Sequence, residues 1–326
     1  MSPRVSLALE AGSLTLPDAP ILVMHPRADA DLSALPQDRV TIVQPFFPDH
    51  AVWSARGYRC APGLAGRFGA AIVFLPRAKA QARAMLADAA AAVDGLVIVD
   101  GAKTDGVDSI LKDLRKRAEV SAPISKAHGK IFWFVPPPEG FADWVAPPTQ
   151  VDGFQTAPGV FSADGIDPAS ALLAGVLPAK LGRRVADLGA GWGYLSAQVL
   201  TCASVERLHV VEADHVALDC ARANIPDPRA EFHWADATTW RPDEPVDAVV
   251  MNPPFHTNRA ADAGLGQAFV AAAAQMLTPS GTLWMVANRH LPYETALREL
   301  FREGDELAGD GRFKLFRASR PTRARR

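Results

Sequence analysis

The chain has 326 residues, with 34 Lys+Arg against 36 Asp+Glu and a formal net charge of −2, a balance that does not announce nucleic-acid binding. Its composition, 48% hydrophobic and 21% charged, is that of an ordinary globular protein of about two domains, each able to bury its own core. No apolar run approaches membrane-spanning length, the N-terminus has no basic-then-apolar signal pattern, and Cys60, Cys202 and Cys220 form no CxxC or Cys/His metal pattern, so the expectation is a cytoplasmic protein with no membrane partner and no metal.

In chain order, the first half alternates short apolar runs with helical stretches, an α/β pattern. Strands are expected at Ile21–His25, Val40–Val43, Ala70–Phe74, Leu96–Asp100 and Lys130–Val135. The alanine-rich stretch from Pro76 to Ala92 reads as a helix, and Asp108 to Ala118 as another, capped by Asp108 or Ser109. The glycine-flanked loop Gly101-Ala102-Lys103-Thr104-Asp105-Gly106, with Lys126, His128 and Lys130, is either a phosphate contact or plain surface turns. Pro136-Pro137-Pro138 and Pro147-Pro148 punctuate the end of this half and place the domain boundary between residues 148 and 149.

In the second half, Arg184-Val185-Ala186-Asp187-Leu188 is a short apolar strand that runs into Gly189-Ala190-Gly191-Trp192-Gly193-Tyr194 and then a helix. Such glycines let the backbone turn tightly and approach a ligand closely. The dinucleotide-binding fingerprint asks for glycine at 194, where this chain has Tyr194. The next strand, Leu208-His209-Val210-Val211, ends at Glu212. A carboxylate there either accepts both hydroxyls of a ribose or caps a helix, a role for which Asp214 competes. A third strand, Glu231-Phe232-His233-Trp234, leads to Ala235-Asp236-Ala237. One acid after each of three successive strands (Asp187, Glu212, Asp236) is a stronger signal than any of them alone.

The apolar run Val246–Met251 ends in Asn252-Pro253-Pro254-Phe255. Two prolines cannot continue a central strand, so the chain turns out of the sheet and leaves Asn252 at the carboxyl end, where open α/β sheets hold ligands. The Asn252 amide and the Pro253 carbonyl can grip an exocyclic amino group, and Phe255 can stack on the ring that carries it. The alternative is a turn that only terminates a strand. A helix at Gln267–Leu277, a strand at Gly281–Ala287 and a final strand around Phe313–Ala318 follow. Arg312, Lys314, Arg317, Arg320, Arg323, Arg325 and Arg326 make a basic tail that is either a phosphate contact or a solvated terminus.

Asn252-Pro253-Pro254-Phe255 resembles motif IV of the amino-methylating class I methyltransferases, and Asp187-x-Gly189-x-Gly191-x-Gly193 resembles their motif I. Phe154-Gln155-Thr156-Ala157-Pro158-Gly159-Val160-Phe161-Ser162 with Asp164-Gly165-Ile166-Asp167, then Asn252 to His256, Val286 to Tyr293 and Phe313 to Phe316, narrow this to the ribosomal RNA guanine-N2 methyltransferases of the RsmC type. The resemblance covers residues 150–318. Thr257-Asn258-Arg259, after His256, departs from the family's short turn.

The resemblance implies a Rossmann-like class I methyltransferase domain at 149–326, with a mostly parallel seven-stranded sheet and an antiparallel last strand, preceded at 1–148 by a degenerate methyltransferase-like α/β domain that positions substrate. Within the chain this appears as a worn copy: Ala71–Pro76 lies over Ala248–Pro253, setting Leu75 at the place of Asn252, and Leu96–Val99 lies over Leu283–Val286. The implied reaction is methyl transfer from S-adenosyl-L-methionine to the N2 of a guanine in 16S ribosomal RNA, free or in the small ribosomal subunit, with the base flipped out. The implied catalytic residues are Asn252, Pro253 and Phe255. Those for the cofactor are Asp187, Gly189, Gly191, Gly193, Glu212, Asp236, Ala237 and Phe161, with Asp187 facing the amino group of its methionine part. Those for the RNA are Pro254, His256 and Arg289. The rival readings are guanine-N2 methylation of large-subunit RNA, a protein-glutamine or DNA-adenine amino methyltransferase, an NAD-dependent oxidoreductase, and a noncatalytic RNA-binding assembly factor.

Overall fold

The computed structural model describes residues 4–254, 256–257, 260–261, 263–307 and 309–322. The chain divides into two compact units, Met1–Pro148 with Ala157–Gly159, and Thr149–Thr156 with Val160–Arg326.

In the first unit, α1 (Arg4–Glu10), α2 (Phe47–Ala55), α3 (Lys79–Ala92) and α4 (Val107–Leu114) flank one sheet. Its strands are β1 (Ile21–Met24), β2 (Val40–Val43), β3 (Arg59–Ala61), β4 (Phe68–Phe74), β5 (Val93–Ala102), β6 (Ile124–Lys126) and β7 (Gly129–Phe134). They lie in the order β3-β2-β1-β4-β5-β7-β6. Strands β1 to β5 pair in parallel, and β7 runs antiparallel to both neighbours. Both faces are covered: Ala82, Leu86, Ile110 and Leu114 close one, and Val5, Ala8 and Trp53 the other. That is why the central strands read as continuous apolar runs. The cap expected at Asp108 or Ser109 is instead Gly106, whose φ of +76° lets a left-handed residue start α4.

The second unit opens with a hairpin of β8 (Thr149–Val151) and β9 (Phe154–Thr156). Then come α5 (Pro168–Ala174), β10 (Arg184–Leu188), α6 (Tyr194–Leu200), β11 (Arg207–Glu212), α7 (His215–Asn224), β12 (Ala230–Trp234) and β13 (Val246–Met251). A short ladder of β14 (His256–Thr257) and β15 (Ala260–Ala261) follows, then α8 (Ala263–Met276), β16 (Leu277–Asn288), α9 (Glu294–Leu300), β17 (Phe301–Leu307) and β18 (Phe313–Pro321). The main sheet runs β12-β11-β10-β13-β16-β18-β17, with β18 antiparallel to β16 and β17.

Each sheet, numbered from its own first strand, has the order 3-2-1-4-5-7-6. The two units share one topology, so the doubled methyltransferase-like architecture is a property of the fold. The register corrects the overlay by one residue. Met24 pairs with Val73 as Leu188 pairs with Met251, so Phe74, and not Leu75, stands where Asn252 does. The same register puts Gln44 at the place of Glu212. Gln44 donates to the Pro26 carbonyl at 2.8 Å, and Trp53 Nε1 donates to that carbonyl at 3.0 Å. Side chains therefore hold the turn after β1, which in the second unit is made of glycines.

Candidate active site

The site is built at the carboxyl ends of β10, β11, β12 and β13. Asp187 is the fourth residue of β10, between Ala186 and Leu188, which are fully buried. Its side chain points to the other face, among residues such as Val185 and Leu195, and is 0% exposed. Asp187 Oδ2 accepts from Ser196 Oγ at 2.7 Å, while Oδ1 is buried and has no hydrogen-bond partner among the described residues. Burial is the main reason its carboxyl is pushed up to about 7, with the Ser196 hydroxyl pulling the other way. A buried acceptor without a partner is costly, so a donor, above all a cationic one, is favoured here.

The glycine turn leaves β10 at once. Gly189, Gly191 and Gly193 have φ of +73°, +57° and +93°, a region that side chains avoid. A Cβ on Gly193 would stand 2.7 Å from Ile225 Cδ1, whereas one on Gly191 would meet nothing within 4 Å. Glu212 fastens the turn: its Oε2 accepts the Gly191 N–H at 2.7 Å, and its Oε1 accepts that of Asp214 at 2.8 Å. Burial pushes this carboxyl up to about 6 against the pull of those amides. The helix cap is Asp214, which accepts from Val216 N at 2.9 Å, so Glu212 is left at the strand end with lone pairs to spare. Asp236 Oδ1 accepts from Thr238 N and Oγ at 2.8 and 2.6 Å, and Ala237 beside it is buried.

Asn252 follows the last residue of β13. Its Nδ2 donates to Asp167 Oδ2 and to Ser170 Oγ, both at 2.9 Å. Asp167 also caps α5, accepting from Ser170 N at 2.8 Å. A carboxylate accepts only, so it fixes which end of the amide faces it, and the Asn252 carbonyl oxygen is turned the other way. Pro253 is buried and Pro254 exposed. Phe255 and the side chain of His256 lie outside the described residues.

The Phe161 ring is 55% exposed, but its backbone carbonyl accepts from Trp192 Nε1 at 2.9 Å, next to the glycine turn. Arg289 is engaged by the β17–β18 hairpin, donating to the carbonyls of Asp310 and Phe313 at 2.7 and 3.0 Å and to Glu306 at 3.1 Å. Lys314 pairs with Glu294, and Arg320 with Glu303 at 2.9 Å. Arg323, Arg325 and Arg326 lie outside the described residues. Lys130 of the first unit pairs with Asp108 at 2.5 Å.

Sequence reading missed Asp167 and Ser170 as partners of Asn252, although Asp167-Pro168 before an apolar helix is a cap signal. It also missed Asn224, which donates to the carbonyls of Gln155 and Trp192 at 2.9 and 2.8 Å and ties the β8–β9 hairpin to the glycine turn. Tyr194, the residue that breaks the dinucleotide fingerprint, packs with Phe154 and Trp192 at centroid distances of 5.9 and 6.0 Å.

The sequence model of the methyltransferase small domain matches residues 152–317, just over half of the chain. The chain belongs to the methyltransferase small domain family. Within it, the chain is similar to ribosomal RNA large subunit methyltransferase G of Streptomyces coelicolor, at 36% identity over 165 residues, 49% of this chain and 44% of that protein. It is also similar to ribosomal RNA small subunit methyltransferase C of Hahella chejuensis, at 29% identity over 329 residues, 92% of this chain and 94% of that protein. The chain thus spans less than half of the large-subunit relative and nearly all of the small-subunit one. Among solved structures, the T. thermophilus 16S rRNA N2 G1207 methyltransferase (RsmC) in complex with AdoMet and guanosine aligns with a TM-score of 0.79 and 24% identity, covering 98% of this chain and 92% of that chain. No helix among the described residues is long and apolar enough to cross a membrane.

Proposed function

We propose that this methyltransferase moves the methyl group of S-adenosyl-L-methionine to the exocyclic N2 of a guanine in 16S ribosomal RNA. The observation that carries the reading is the Asn252 amide. Its hydrogens are held by Asp167 and Ser170, so its carbonyl is an oriented acceptor at the strand end next to the glycine turn.

The residues present fit the cofactor. The unpartnered Asp187 Oδ1 suits the ammonium of its methionine part, directly or through water. Glu212 suits the ribose hydroxyls, Asp236 and Ala237 the adenine, and Gly189, Gly191 and Gly193 a close backbone approach. The bound cofactor supplies an electrophilic methyl on a sulfonium.

N2 of guanine is a poor nucleophile because its lone pair is delocalised into the purine. Acceptors at its two hydrogens, the Asn252 carbonyl and the Pro253 carbonyl, favour a pyramidal nitrogen whose lone pair is free to attack. The bound donor would give up its methyl and leave as a neutral thioether, while the Asn252 and Pro253 carbonyls would hold N2 in place and the extra proton on nitrogen would pass to water. Positioning for in-line attack supplies most of the acceleration, and no strong base is needed. The roles assigned are stacking on the flipped base for Phe255, closing the cofactor side for Phe161, and contact with the RNA for Pro254, His256 and Arg289, the last while its guanidinium also holds the β17–β18 hairpin. The first unit, whose turn after β1 is held by Gln44 and Trp53, positions RNA and does not bind cofactor. The place of work is the cytoplasm.

Coverage of 94% of the small-subunit relative against 44% of the large-subunit one favours 16S RNA. The higher identity to the large-subunit enzyme, 36% against 29%, keeps its substrate as the second reading. Mass mapping of methylated guanines in ribosomal RNA from cells lacking the gene decides between them. Loss of one N2-methylguanosine from 16S RNA is expected, restored by the wild-type gene and not by Asn252→Ala. Loss from the large-subunit RNA establishes the rival, and no loss from either overturns the reading.

A further inference from the structure

Three side chains outside the catalytic site meet on one face of the sheet edge. Strands β11 and β12 pair in parallel with His209 opposite Glu231 and Val211 opposite His233. Residues 231 and 233 share a face because side chains alternate along a strand. His209 Nδ1 therefore lies 3.0 Å from His233 Nε2 and 3.4 Å from Glu231 Oε2. The three ligand atoms all lie within 4.8 Å of one another. Trp240 walls the cluster, its ring centroid 5.3 Å from that of His209 and 4.8 Å from that of His233.

We propose that His209, Glu231 and His233 bind a divalent transition-metal ion of the zinc class, as a structural brace between β11 and the edge strand β12. The set is two imidazole nitrogens and one carboxylate oxygen, which suits zinc, cobalt or nickel over magnesium or calcium. The spacing agrees. Ligand atoms about 2.0–2.1 Å from a zinc-type ion lie roughly 3.3 Å apart at the corners of a tetrahedron, and the two distances from His209 Nδ1 are 3.0 and 3.4 Å.

Charge also agrees. Two ring nitrogens 3.0 Å apart hold at most one proton between them, and a metal ion would take the place of that proton. Glu231 gives its second oxygen to Arg207 at 3.0 Å, a contact that orients the carboxylate and leaves Oε2 for the ion. The exposed Asp243, near enough to act electrostatically on both histidines, adds negative field, and the remaining coordination positions belong to water. His209 is 6% exposed, which shields the site from bulk solvent on one side.

No spacing along the chain announces this site, because 22 residues separate His209 from Glu231 and only strand pairing unites them. Neither Asn252 nor the glycine turn takes part, so the proposal stands or falls independently of the methyl-transfer reading.

The test is titration of the EDTA-treated full-length chain with cobalt(II) chloride, followed by visible ligand-field absorption and by competition with zinc chloride. The expected result is one equivalent bound, displaced by zinc, with a rise in the thermal midpoint. His233→Gln keeps size and polarity and is expected to weaken binding beyond the ~10–100-fold typical of losing an outer partner of a metal site. Glu231→Gln weakens it by about 10-fold or more. Circular dichroism of both variants checks the fold. Absence of a one-equivalent cobalt spectrum in the wild-type chain overturns the site, and so does wild-type affinity in a folded His233→Gln protein.

Discussion

The Glu212 carboxylate accepts the backbone N–H of Gly191 at 2.7 Å. An acid at the end of one strand thus holds the glycine turn at the end of its neighbour, 21 residues away. Glu212 shapes the turn and keeps lone pairs for a further donor. Glu212→Ala is expected to lower S-adenosyl-L-methionine affinity by roughly 10–100-fold, the worth of one to two hydrogen bonds to a charged group. Calorimetry measures it, and unchanged affinity would remove the role.

Asp167→Asn separates orienting the Asn252 amide from capping α5. Asparagine caps a helix about as well as aspartate, so the fold is retained. Its side chain can present an NH2 to the amide, which no longer fixes the Asn252 carbonyl. The expected outcome is a fall in kcat of about 10–100-fold, or ~1.4–2.7 kcal/mol in the barrier, with KM for the cofactor unchanged. Single-turnover kinetics on an RNA substrate reads this directly, and a variant with normal kcat argues that the clamp is merely structural.

The two buried acids are expected to make cofactor binding depend on pH. Burial raises Asp187 to about 7 and Glu212 to about 6. Unfolded, both ionise in the usual carboxylate range, so between about pH 4 and 7 the folded apo chain holds more protons than the unfolded one. Its stability falls as pH rises through that window, by up to about 4 kcal/mol for Asp187. A bound ammonium favours the ionised form, so cofactor binding expels protons and its affinity rises from pH 5.5 to 8. Calorimetry in buffers of different ionisation enthalpy counts those protons. Affinity that stays flat across this range would contradict the assignment of Asp187.

Two glycines of one turn are expected to fail differently. Gly193→Ala brings a Cβ to 2.7 Å from Ile225 at a φ of +93° and is expected to cost about 2–4 kcal/mol of stability. Gly191→Ala adds a Cβ in open space at φ +57°, costing only about 1–2 kcal/mol, but it crowds the cofactor side. Urea midpoints and cofactor titrations compared for the pair check this. Equal loss of stability in both would refute the distinction.

The sequence by itself determined the repeating α/β pattern, the glycine turn, the acids after three successive strands and the placement of Asn252 at a strand end. These are local signals: apolar runs, prolines and glycines restrict the backbone within a few residues. Short or amphipathic pieces such as α1, α2 and β3 escaped, because their stability comes from burial against distant residues and not from local preference. Only the tertiary structure decided that Phe74 and not Leu75 occupies the place of Asn252, since register depends on which carbonyl the neighbouring strand presents. Only it showed that Asp167 and Ser170 hold the Asn252 amide across 85 and 82 residues, that Arg289 serves a hairpin, and that His209 meets His233. Such pairings carry no signature along the chain, because sheet formation brings together residues whose separation in sequence is set by the length of the helix between them.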